Sequence, residues 1–298
     1  MNYSKLITHS GYPHSDDLLA VCIALYMFPS IREVNRLPKV TREMLDDPNI
    51  LVLDIGEEYT PEKGNFDHHQ DGEDVEGKSA VRLLMNYIVS GGLVDGITME
   101  NIDKWFYWLS PVDLWDCYGL KGFSGVYDIG ADGRRFAFKH PFIDSFKNIL
   151  KLETSIPQNS TMFAMLKLVG KDLVEEASNS AMMYNQLKLV IKQYNYGDYS
   201  IVRNISDVAI KPALMDMYIA NNGFNADLVI TTSERDSKHY NLFRPDGSKL
   251  ARLNVLKEVE GLPEFEFIAK KGFLAVIPKT ISEEDILHIL SELANHSK

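Results

Sequence analysis

Between Asn65 and Gln70 the chain reads Asn-Phe-Asp-His-His-Gln. A carboxylate and an imidazole side by side on one short loop, Asp67 and His68, can hold a metal ion and leave the next imidazole, His69, free for a substrate phosphate. Three further stretches supply the same kinds of ligand. Upstream lie Thr8-His9-Ser-Gly-Tyr-Pro-His14-Ser-Asp16-Asp17 and Leu51-Val-Leu-Asp54-Ile-Gly56; downstream lies Asp113-Leu-Trp-Asp116. Together they read as four pieces of one two-metal site for cleaving a phosphoester.

That chemistry needs an activated water, neutralised phosphate oxygens and an in-line geometry. Two divalent ions about 3.5–4 Å apart supply all three. The mixture of Asp and His favours Mn2+ over Mg2+, with Co2+ also accommodated. Cys22 and Cys117 are the only cysteines. They are too isolated to build a thiolate zinc site, too few for a disulfide framework, and suited to a reducing cytoplasm.

The elements that must position these groups alternate. Lys5–His9 reads as a short buried strand, followed by a helix with Ser15 as its N-cap and Leu18, Leu19, Val21, Cys22, Leu25 and Tyr26 on its apolar side. Asp17 reads as a helix-end charge. Strands are expected at 31–37 and 50–54, with helices at 41–46, 79–89 and 98–109. Strand–helix alternation implies α/β architecture with a doubly wound parallel sheet, whose ligands gather beyond the strand carboxyl ends. His9 and Asp54 both fall there. Residues 160–194 look helical and are taken within a connector, 156–197, between a metal-binding domain (1–155) and a smaller α/β domain (198–298). Strands are expected in the latter at 199–204, 227–232, 238–244 and 273–278, and a closing helix at 281–295.

With 298 residues, 45% hydrophobic and 24% charged, the composition is that of an ordinary globular protein. No apolar run reaches membrane-spanning length and the N-terminus has no secretory-signal pattern. Residues 1–198 carry 19 Lys+Arg against 28 Asp+Glu, a balance of −9; residues 199–298 carry 12 against 14, a balance of −2. The net charge of −11 argues against tight, non-specific binding of long duplexes, whose affinity rests on phosphate neutralisation. It leaves room for a short strand or a nucleotide.

The Thr8–Ala20, Asp54–Pro61 and Phe66–Gln70 stretches resemble the MYG1 (UPF0160) family, itself similar to the wider DHH phosphoesterases. That resemblance is strong over residues 5–120. It implies two domains with the active site in the cleft between them, and nuclease activity toward RNA or short oligonucleotides. It makes His9, His14 and Asp16 metal ligands, Asp54 a bridge between two metals and His68 a further ligand, while His69 meets the scissile phosphate or protonates the leaving oxygen. Asp113 and Asp116 resemble the family's fourth motif, although Cys117-Tyr118-Gly119 stands where the family has Asn-Gly, leaving open which aspartate binds metal. Phe267–Phe273 resembles a substrate loop that in the family carries a His where this chain has Ala269.

The expectation is therefore a cytoplasmic, Mn2+-dependent phosphodiesterase or exonuclease acting on RNA or short oligonucleotides with two ions. Asp67 and His69 take the catalytic roles; Lys270, Lys271, Arg235 and Arg252 are candidates for substrate phosphate. Expected partners are short single-stranded RNA or DNA or a nucleotide, with no membrane and with a homodimer left open. The alternatives are a small-molecule phosphohydrolase of the pyrophosphatase kind and a non-catalytic nucleotide-binding regulator.

Overall fold

Leu6 and Ile7, adjacent on the first strand, are both buried, as are Leu51, Val52 and Leu53. Side chains alternate across a strand, so burial of neighbours means that both faces of the sheet are covered. The structure, a computed structural model describing residues 2–126, 147, 150–233 and 236–297, divides into two compact units, Met1–Ala181 and Met182–Lys298. Among the described residues, no helix is long and apolar enough to cross a membrane.

In the first unit β1 (Lys5–His9), β2 (Glu33–Leu37), β3 (Ile50–Leu53), β4 (Tyr59–Thr60), β5 (Asn65–Phe66) and β6 (Ser155–Pro157) form one sheet in the order β4-β5-β3-β1-β2-β6. β5, β3, β1 and β2 run parallel; β4 and β6 close the edges antiparallel. The chain leaves β1 through α1 (Ser15–Met27) to β2, then returns through α2 (Arg42–Asp46) to β3 on the other side of β1. The sheet's winding therefore reverses between β1 and β3, which opens a crevice at their carboxyl ends.

Helix α1 departs from the expected one-sided pattern: every residue from Ser15 to Leu25 is buried. It packs against β1 and β3 and against α3 (Ala80–Ser90) and α5 (Leu109–Val126), with a short α4 (Ile102–Trp105) between the last two. The expected helix at 98–109 is thus a single turn at 102–105. α5 was not foreseen, and it carries a non-helical residue, Gly119. α1's N-cap is His14 rather than Ser15, whose hydroxyl accepts from Lys147. α2 covers the Ile7–Val52 face through Leu45. Where α6 (Thr161–Val190) meets α1, a Cβ on Gly170 would lie 1.9 Å from the Cys22 carbonyl oxygen. Only glycine permits that approach.

The boundary between the units falls inside α6, within the segment read from the sequence as a connector. The helical reading overran at its end. Ile191–Tyr196 is a strand, β7, because its alternating Ile, Tyr and Tyr pair antiparallel with β8 (Tyr199–Asn204). The second unit's sheet runs β11-β12-β10-β9-β8-β7, adding β9 (Leu228–Thr232), β10 (His239–Phe243), β11 (Phe267–Ile268) and β12 (Leu274–Pro278). Only β8 and β9 are parallel in it. α7 (Pro212–Asn221) follows β8, and the closing α8 (Glu283–Asn295) is fixed by a capping box between Ser282 and Asp285. α8 buries Ile286, Ile289, Leu290 and Leu293 against Ile201, Ile230 and Ile277.

Candidate metal centre

Three consecutive parallel strands deliver the expected ligands to one edge. β1 ends in His9, β3 runs into Asp54 and β5 into Asp67-His68-His69; the N-terminus of α1 brings Asp16 and Asp17 beneath them. Asp54 sits at φ 56, a left-handed conformation that is uncommon outside glycine and that Asp tolerates better than most. Its neighbour Glu57 has φ 52. Held strain of this kind clusters at functional sites.

The distances converge on Asp54. Its Oδ2 is 3.4 Å from His9 Nε2 and its Oδ1 3.2 Å from His68 Nε2. His68 Nε2 is also 3.0 Å from Asp116 Oδ2 and 3.8 Å from Asp16 Oδ2; His9 Nε2 is 3.4 Å from Asp17 Oδ2. None of these approaches has the direction of a hydrogen bond, and His9 Nε2, His68 Nε2, Asp54 Oδ1, Asp17 Oδ1 and both oxygens of Asp16 are buried without a hydrogen-bonding partner. Buried polar atoms left in that condition are costly and call for a cation.

The electrostatics agree. Burial and the charge of Asp116 push Asp16 up to about 7. Burial and the Asp16 carboxylate raise both Asp17 and Asp54 well above the usual carboxylate range. Burial disfavours a charge on His68, yet the carboxylates of Asp116 and Asp54 push it up to about 12. Acids and bases are forced toward neutralising one another where no cation stands between them. Among the described residues five overlapping triads have ligand atoms within 4.8 Å of one another: His9–His14–Asp54, Asp54–His68–His69, His68–Asp116–Cys117, His14–Asp16–Asp116 and Asp16–Asp17–Asp54. Imidazole with carboxylate suits a divalent transition metal, and the orphaned atoms fit one.

Asp67 stands apart from these triads and holds the loop instead. Its Oδ1 accepts from the His68 amide at 2.8 Å and from His69 Nδ1 at 2.7 Å, and its Oδ2 accepts from the Glu57 amide at 2.6 Å. Burial would raise this carboxyl, but those donors hold it below its usual range, while the bond to Asp67 raises the half-exposed His69. Glu58, to which the sequence assigned no chemistry, accepts from Arg42, Thr60 and Asn65 and so secures the hairpin beneath.

The two downstream aspartates part company. Asp113 is buried and saturated: its Oδ1 accepts from the Ser79 amide and hydroxyl, and its Oδ2 from Arg82 Nε at 2.8 Å. It fixes the start of α3 and lies in none of the triads. Asp116, one turn later, faces His68. Arg36 and Cys117 escaped the sequence reading. Buried Arg36 donates to the Gly11 and Leu150 carbonyls and lies 3.8 Å from Asp17, so Asp17 is part of the buried cluster and not merely a helix-end charge. Cys117 Sγ is 3.9 Å from His68 Nδ1; its position directly after Asp116 was the available signal.

The chain's first third can be matched to other proteins. Residues 5–94 match the model of the MYG1 exonuclease family, described as an uncharacterised protein family (UPF0160). The MYG1 protein of Dictyostelium discoideum is 32% identical over 85 residues, 28% of this chain and 25% of that protein. The MYG1 exonuclease of Bos taurus is 40% identical over 66 residues, 22% of this chain and 17% of that protein. The matched stretches therefore span a quarter or less of those relatives. The crystal structure of exonuclease RecJ bound to manganese superposes over 98% of this chain and 90% of that one, but at a TM-score of 0.31 and 11% identity, too loose to bear on function. The matched segment contains His9, His14, Asp16, Asp54 and His68; Asp116 lies beyond it and joins them through the fold.

In the second unit Lys270, Lys271 and Arg252 are exposed. Gly272 (φ +69) binds their segments together, since a Cβ there would lie 2.3 Å from Asn254 Oδ1 and 2.6 Å from Arg252 Cβ. Arg235 lies outside the described residues.

Proposed function

We propose that this chain is a metal-dependent phosphodiesterase of the DHH type, hydrolysing RNA or short oligonucleotides from an end with two Mn2+ ions. The observation that carries the reading is the position of Asp54, whose two oxygens face two different histidines, His9 and His68, as a carboxylate bridging two ions would. His9, His14 and Asp16 would hold one ion, His68 and Asp116 the other, and Asp54 both. Ions bound there supply the charge that neutralises phosphate oxygens and activates water.

The chain's own groups do the rest. Asp67 accepts the proton on His69 Nδ1, which fixes the ring and leaves Nε2 to act on the substrate. Because that hydrogen bond also raises the His69 pKa, the ring can carry a proton to the leaving oxygen. The Arg36 guanidinium, 3.8 Å from Asp17, favours the ionised form of that carboxyl against its burial. The exonuclease name of the Bos taurus relative supports the substrate class. The test is Mn2+-dependent hydrolysis of short RNA, short DNA and pyrophosphate, alongside His68→Ala. Stepwise release of mononucleotides, lost in His68→Ala, is expected; turnover of pyrophosphate alone would replace this reading with a small-molecule phosphohydrolase.

A further inference from the structure

The metal centre opens into a cleft of about 570 Å³, lined by residues of the first unit. That is within the size range of small-molecule sites, roughly 300–1,000 Å³. His14, His68, His69, Asp116 and Cys117 form its metal side. The rest comes from the loop Gln70–Gly77 and from Tyr118, neither of which the catalytic argument uses.

Three features of that lining point to a ligand. Tyr118 is 52% exposed, a large apolar side chain left open beside a polar centre. Its hydroxyl is braced against the loop at Gly77, where a Cβ would come within 2.7 Å of it, and Gly119 (φ 60, ψ −158) breaks the helical run immediately after it. Gln70 donates through Nε2 to the Asp67 carbonyl at 2.9 Å, which fixes the amide's orientation and leaves Oε1 buried without a partner. Finally, the charged side chains on this side are Asp71 and Glu76, and among the described residues no Lys or Arg lines the cleft.

Building on the phosphodiesterase reading, we propose that this cleft is a terminal-nucleoside pocket. The scissile phosphate rests at the metal centre, and the terminal base stacks on Tyr118. Asp71, Glu76 and Gln70 Oε1 accept hydrogen bonds from sugar hydroxyls and base amino groups. All three are acceptors, so they match a ribose diol, and the two carboxylates repel any second phosphate. The pocket therefore selects an end with free hydroxyls over a phosphorylated end, and ribose over deoxyribose.

Two measurements separate this proposal from the function beneath it. The first is binding of adenosine 5′-monophosphate and of inorganic phosphate to the Mn2+-loaded protein, by calorimetry, which needs no turnover. The monophosphate should bind more tightly. Tyr118→Ala should remove about 5- to 150-fold of that advantage, the range expected for losing one base stack, and Tyr118→Phe should keep it. Equal affinity for the two ligands, or a preference that survives Tyr118→Ala, would overturn the pocket. The second is kcat/KM on a ribodinucleotide with a hydroxyl end against the same dinucleotide with a terminal phosphate. The hydroxyl end should be preferred, and the double variant Asp71→Asn, Glu76→Gln should narrow the gap. A wild-type preference for the phosphorylated end would also overturn it. Failure to cleave either dinucleotide, with the nucleotide preference intact, would count against the diesterase reading and not against the pocket.

Discussion

Buried aspartates meet opposite fates in the two units. In the second, Asp227 accepts from the Ser200 amide at 2.9 Å and the Lys249 amide at 2.7 Å, so its charge is spent tying a strand to a loop. In the first, Asp16, Asp17 and Asp54 crowd together with oxygens that no donor reaches. The same contrast recurs at short range, where Asp113 is saturated by Ser79 and Arg82 while Asp116 faces an imidazole. A buried carboxylate with its donors in place is a structural tie; one without them is a seat for a cation. Satisfaction of its hydrogen bonds, more than burial, tells the two apart.

The largest effect should come from the shared ligand. Asp54→Asn should lower kcat by at least about a thousandfold, the scale of losing catalytic charge stabilisation, and should reduce bound manganese measured by elemental analysis. Retention of two ions per chain would break the contrast. Asp67→Asn should lower kcat by about a hundredfold through loss of His69 orientation, within the usual range for general acid–base catalysis, while metal content stays at the wild-type level. A fall in metal content would move Asp67 among the ligands.

The Asp113 and Asp116 pair sharpens the comparison by stability. Asp113→Ala removes the acceptor of buried Arg82 Nε and of the Ser79 amide and hydroxyl, while Arg82 Nη2 keeps Asp103 and Ser110, and should cost about 1–3 kcal/mol in denaturant unfolding; Asp116→Asn should cost little in chelator and lose metal. Equal stability losses would refute the division. Gly170→Ala should cost about 1–3 kcal/mol by overpacking α6 on the Cys22 carbonyl, with a lower Tm as the readout.

The smallest effect concerns pH. In chelator the raised pKa values of Asp16, Asp17 and Asp54 mean that the folded state holds more protons than the unfolded one above the ordinary carboxylate range. Stability of the metal-free protein should therefore fall as pH rises from about 4 toward 7. Saturating Mn2+ should abolish that slope and raise Tm, by about 2.7 kcal/mol of stabilisation at a hundredfold excess over Kd. An unchanged slope in Mn2+ would show that the cluster does not take the ion.

Much of this was legible in the chain itself. Short apolar runs ending in His9 and Asp54, the Asp67-His68-His69 triplet and the acids after Pro13 announce an α/β sheet with ligands at strand ends, because those patterns depend on local periodicity and residue type. The strand at Ile191–Tyr196 was missed because its register is set by β8, and helix α5 because packing against α1 and α3 outweighs its weak pattern. The roles of Asp67, Asp113, Arg36 and Cys117 were decided by the tertiary structure alone. Sequence shows which residues carry a charge or a thiol. Whether a carboxylate finds a donor amide, a guanidinium or another carboxylate depends on which distant segment the fold sets against it, and that neighbour fixes what the residue does.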